Sequence, residues 1–120
     1  MRAVFWSIGF LMMALPALAE DLPWRLVAVD GAEVGYRATI DLSQDGRVSG
    51  QGPCNRYFAD MTTELPEFKL GAIGATKMAC PDLAAEAAFF ALLTQMELAE
   101  VLDAGLVLSG AEHTLRFVQK

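Results

Sequence analysis

Cysteine is scarce in this sequence, with only Cys54 and Cys80, and histidine scarcer still, with His113 alone. A structural zinc site needs four such ligands at recognised spacings, so no metal is expected from three scattered ones. Neither cysteine belongs to a Cys-x-x-Cys pair, in which a second thiol resolves a mixed disulfide, and this argues against a thiol-disulfide redox protein. Missing too are a nucleophile elbow, a glycine-rich phosphate loop and a His-x-x-x-His pair. His113 falls in a turn before the last strand and reads as a solvated surface residue. Asp41, Asp45, Asp60 and Glu64 sit in hairpin turns or on outer strand faces, where carboxylates are ordinarily just hydrated. The chain is therefore expected to be no enzyme, with no catalytic residue and no cofactor.

Basic residues are few as well. Nine Lys and Arg stand against fifteen Asp and Glu in 120 residues. A nucleic-acid surface gains affinity from clustered cations that displace counterions, and an anionic membrane surface asks for a basic patch; both are disfavoured here. The acidity suits a small domain that must stay soluble. Long apolar runs are confined to the start. Arg2, the run from Ala3 to Leu15, the break at Pro16 and the small-x-small pattern Ala17-Leu18-Ala19 have the layout of a secretory leader. The run is too short for a stable transmembrane anchor. Residues 1–19 are expected to be a cleaved signal peptide, cut after Ala19, and residues 20–120 a single periplasmic domain with no membrane anchor. Losing Arg2 leaves eight basic and fifteen acidic side chains, a net charge of −7.

Within that domain the turn signals are closely spaced. Pro23 to Val29 predicts a strand with Trp24, Leu26 and Ala28 on one face, ending at the turn Asp30-Gly31. Arg37 to Leu42 alternates, with Ala38, Ile40 and Leu42 inward, and Ser43 to Gly46 predicts a hairpin loop returning through Arg47 to Gly50. Gly50, Gly52 and Pro53 suggest a bulge or sharp bend before Cys54. Met61 to Leu65 and Phe68 to Ile73 read as two further strands. Pro81 suits a first helical position. From Asp82 to about Met96 a helix is predicted, its apolar stripe Leu83, Ala87, Phe90 and Leu93 widened by Phe89, Leu92 and Met96, with Glu86 and Gln95 in water. Leu98 to Leu102, Leu106 to Leu108 and Thr114 to Val118 close the chain as strands. The fold class is mainly β (α+β), an antiparallel, barrel-like sheet with one amphipathic helix packed on it.

An exported chain with two cysteines most simply joins them. A Cys54 to Cys80 bond would add about 3 to 4 kcal/mol by restricting the unfolded chain. It would also tie the helix start to the end of the second hairpin strand. Asn55 and Arg56 are the most distinctive polar residues: Asn can bond local backbone groups and Arg can clamp a carboxylate or carbonyls.

Two blocks then carry a resemblance. Gly50-Gln51-Gly52-Pro53-Cys54-Asn55-Arg56-Tyr57-Phe58 resembles the Gly-x-x-Cys-Asn-Arg-Phe motif of the META domain family, that of the heat-shock protein HslJ. Ala75-Thr76-Lys77-Met78-Ala79-Cys80-Pro81 resembles its Thr-Arg-Met-x-Cys motif, with Lys77 where the family often has Arg. The order of the remaining strands fits across the mature chain. The resemblance implies a non-enzymatic envelope protein tied to heat shock and other stresses. It marks Asn55, Arg56, Tyr57, Phe58, Thr76, Lys77 and Met78 as motif residues with structural or binding roles. Many relatives carry a lipoprotein cysteine at the leader's end; Leu18-Ala19-Glu20 has none. The partner is expected to be an envelope protein or a small molecule, and the chain a monomer. A ligand-binding barrel with a cavity lined by Trp24, Ile40, Leu108 and Phe117 is the alternative.

Overall fold

The computed structural model describes residues 23–103 and 105–120, so the expected leader lies outside the described residues. Strands β1 (Trp24–Val29), β2 (Ala32–Glu33) and β3 (Thr39–Ile40) come first, followed by β4 (Arg47–Gln51), β5 (Arg56–Asp60) and β6 (Gly74–Ala75). Helix α1 (Leu83–Leu93) precedes β7 (Met96–Leu102), β8 (Gly105–Gly110) and β9 (Thr114–Gln119). All strand pairs are antiparallel. One sheet runs β2-β1-β9-β8-β7, with β3 also paired to β1; the second runs β4-β5-β6. Among the described residues the fold is mainly β with one helix, in two open sheets rather than one closed ring.

The period-2 pattern of β1 buries Trp24, Leu26 and Ala28, as alternation requires of a half-buried strand. The hairpin from Arg37 to Gly50 forms, and Gly46 takes the positive φ of 74° that its loop needs. Its arms belong to different sheets, β3 to the first and β4 to the second, and the bridge from Asp41 N–H to Ser49 O (2.7 Å) joins them. Trp24, Ile40, Leu108 and Phe117 are each at most 1 % exposed and sit in one core cluster with Val48, Tyr57, Phe68, Phe89 and Leu93. They fill the interior, which corrects their assignment to a cavity wall.

Other expectations change as well. β5, read only as a motif, is a strand whose burial alternates perfectly, with Tyr57 and Ala59 inward. Met61 to Leu65 and Phe68 to Ile73 form no strands; a single isolated bridge, Met61 to Leu70, joins the two runs, although Phe68 itself is buried. The helix stops at Leu93, where Gln95 N–H turns back to Leu92 O (3.0 Å), and Met96 opens β7. Its inward positions are Glu86, Phe89 and Leu93, while Leu83 and Ala87 are exposed. His113 is also not simply hydrated. Its Nδ1 lies 2.7 Å from Asp30 Oδ2, and Thr114 N–H donates to Asp30 Oδ1 (2.8 Å), tying the β8–β9 turn to the β1–β2 turn. The His113 hydrogen bond, helped by Thr114, holds the Asp30 carboxyl below its ordinary value.

Candidate functional site

The β4–β5 turn is where the two sequence blocks meet. Gly52 N–H donates to Asn55 O (2.7 Å), closing a turn that carries Pro53 and Cys54 at its tip. Cys54 is bonded to Cys80, with a Cα–Cα distance of 6.0 Å, within the range an unforced bridge requires. The turn aims two backbone donors at one helix side chain. Cys54 N–H and Asn55 N–H both donate to Glu86 Oε1, at 2.8 and 2.6 Å. A Cβ at Gly52 would lie 2.7 Å from that same oxygen, so only glycine admits the carboxylate.

Asn55 completes the node. Its Nδ2 donates to Glu86 Oε2 (2.7 Å) and to Met78 O (3.2 Å). Its Oδ1 accepts from Met78 N–H (2.6 Å) and from the Thr76 hydroxyl (3.0 Å). Both amide hydrogens and both oxygen lone pairs are thereby used, the full capacity of the side chain. Thr76 is held in turn, its Oγ1 accepting from Arg56 N–H (3.2 Å) and its own N–H donating to Arg56 O (3.1 Å). Asn55 is 3 % and Glu86 5 % exposed, so an unmade bond here would leave a buried polar group without water.

Glu86 was expected in water, and its burial is the main departure from the sequence reading. The available signal was spacing: it lies three residues before Phe89 and seven before Leu93, on the stripe that faces inward. Burial alone would raise its pKa. The Asn55 side chain and the N–H groups of Asn55 and Cys54 outweigh that, leaving it below the ordinary 4.5. Glu86 thus contributes stability above its unfolded pKa, which is lost as pH falls through the lower folded value. Asp30 acts in the same direction. Urea midpoints should therefore be flat from neutral pH down to about pH 5 and fall below about 4.5. Glu86→Gln should flatten that acid limb, and an unchanged limb would refute the assignment.

The META domain model matches residues 17–120. The chain belongs to the META domain family. No curated protein matched its sequence. Two solution NMR structures share the fold. One, from Burkholderia xenovorans, is 22 % identical with a TM-score of 0.65, covering 97 % of this chain and 99 % of that one. The other is 19 % identical with a TM-score of 0.64, covering 89 % and 96 %.

In this META domain the motif residues divide into an inner and an outer set. Asn55, Thr76 and the backbone of Met78 make the node. Tyr57 is buried, donating its hydroxyl to Thr39 O (2.6 Å) and packing edge-on against Phe89. Burial, with Asp41 nearby, drives its pKa far up. The outer set is Arg56, Phe58, Lys77 and the Met78 side chain, all exposed. Arg56 does not clamp anything among the described residues; only its backbone is bound. Phe58 is instead capped by Arg47, whose guanidinium carbon lies 4.9 Å from the ring centre. Several hollows flank these elements, among them one of about 400 Å³ beside Arg56, Tyr57, Phe58 and Thr76. Another of about 540 Å³ is bounded by Asn55, residues 73–79 and one face of α1. A larger one of about 820 Å³, between Thr63 to Leu70 and the start of β7, touches no motif residue.

Proposed function

We propose that this META domain is a non-catalytic binding module of the bacterial periplasm, exported by its leader and acting as a monomer in envelope and heat-shock stress tolerance. The observation that carries the reading is the saturation of the node. Asn55, Glu86 and Thr76 spend their polar groups on the chain itself, which leaves them to shape a surface rather than to move protons or attack a substrate. The Cys54–Cys80 bond fits an oxidising compartment and supports export. Contacts with other molecules then fall to the exposed motif residues Lys77, Met78, Arg56 and Phe58. A strain lacking the gene should survive heat challenge less well, with rescue by the exported chain and none by a copy missing residues 1–19. Equal survival of the deleted and parent strains under heat and cell-wall stress would overturn the reading. Thiol titration of exported protein under denaturing, non-reducing conditions should find no free thiol, and a free thiol would remove the argument for export.

A further inference from the structure

The strand beside the node has an open edge. β6 is the outer strand of the β4-β5-β6 sheet, with Gly74 opposite Phe58 and Ala75 opposite Tyr57. Thr76 N–H donates to Arg56 O, and both backbone groups of Met78 are taken by Asn55. In an antiparallel strand the N–H and C=O of one residue point the same way and alternate from residue to residue. Gly74, Thr76 and Met78 therefore turn theirs inward, and Ile73, Ala75 and Lys77 turn theirs out. Among the described residues no hydrogen bond engages the backbone of Ile73 or Lys77. The groove of about 540 Å³ runs along every residue from 73 to 79 on this open side. Its other wall is Leu83, Glu86 and Phe90, three positions on one helix face. Met78 is 61 % and Leu83 44 % exposed, so the rim is apolar. Lys77 is exposed and has no carboxylate in ion-pair range among the described residues.

We propose that this groove takes an extended segment of a partner protein as a further strand on β6, apolar at alternate positions and bearing a carboxylate against Lys77. An unpaired strand edge recognises extended backbone, and a helix facing it supplies the wall that sorts alternate side chains. A second copy of this chain fits poorly. Two copies of a chain of net charge −6 repel, and antiparallel pairing centred on Ala75 would set Lys77 against Ile73 with no carboxylate supplied. The β7 edge is less open, because Phe68 N–H donates to Glu97 O and Ala99 N–H to Pro66 O. The proposal rests on the binding-module reading and names its site and partner class.

The test is a titration of isotope-labelled protein, followed by amide NMR, with a capped peptide of about eight residues alternating valine and threonine around one glutamate. Shifts should centre on residues 73–79 and 83–90, and the Ala75 amide should exchange more slowly. Lys77→Glu should weaken binding about tenfold and favour the same peptide with lysine in place of glutamate. Met78→Asp, at an exposed site, should also weaken it, while methylating the peptide's backbone nitrogens should abolish it. Three outcomes overturn the groove: no shifts at millimolar peptide of either charge, shifts centred on β7, or full binding by both variants. Each leaves the stress assay untouched, so the failure of the groove and the failure of the binding-module reading are told apart.

Discussion

Glu86→Leu lowers the unfolding free energy by about 3 to 5 kcal/mol, because it strands three buried donors that share one carboxylate. Those donors are Cys54 N–H, Asn55 N–H and one Asn55 amide hydrogen. The melting temperature should fall by more than roughly 10 °C for a domain of this size. Glu86→Gln is milder, at about 1 to 2 kcal/mol. It keeps an oxygen for the two backbone donors but turns an amide toward Asn55 Nδ2. Asn55 cannot flip to compensate, since its Oδ1 already accepts from Met78 and Thr76. Urea unfolding of the three proteins at pH 7 measures this directly. A leucine variant within about 0.5 kcal/mol of the parent would mean that water satisfies those groups and that the node is not structural.

Removing the Cys54–Cys80 bond has an effect of similar size. The two half-cystines are 26 residues apart, and the double substitution to serine should cost about 3 kcal/mol, within the usual range of 2 to 5. Reduction of the native protein should lower its melting temperature to match. The two perturbations should not add. Cys54 N–H is a Glu86 ligand, so opening the bridge lets the β4–β5 turn drift from the helix and weakens the same hydrogen bonds. A cycle combining the serine pair with Glu86→Leu should therefore show a coupling of at least about 0.5 kcal/mol. Strict additivity would show that bridge and node hold the turn independently.

These two effects describe one joint made three ways: a covalent bond, a shared carboxylate and a fully engaged asparagine hold the β4–β5 turn to the start of α1. The chain between them, residues 73–79, inherits its course from that joint. Asn55 holds Met78 by both backbone groups, Thr76 is laddered to Arg56, and the alternation between those anchors turns the backbone of Ala75 outward. A motif saturated on its inner side thereby sets the geometry of an open edge on its outer side.

Local patterns carried much of this. Alternation in β1, β8 and β9, the turn at Gly46 and the two-cysteine arithmetic were readable because each depends on neighbours within a few residues. β5 was missed because its first three residues lie inside the cysteine motif, although Tyr57 and Ala59 do alternate with exposed Arg56 and Phe58. The helix face was misjudged because a run rich in alanine and leucine is apolar nearly all round, so the lone carboxylate was the discriminating residue and was assigned to water. Arg56 looked like a clamp because guanidinium groups often are; here the backbone does the holding and the side chain stays free.

By itself the sequence determined the mainly β class, the first strand and the closing β8–β9 hairpin, and the pairing of its two cysteines, since hydrophobic period, turn residues and cysteine count are local quantities. Only the tertiary structure decided that the hairpin arms part into two sheets, that Glu86 turns inward and that one edge of β6 stays open. A carboxylate enters an interior only where donors distant in sequence converge on it, and that convergence exists only once the sheet and helix have met.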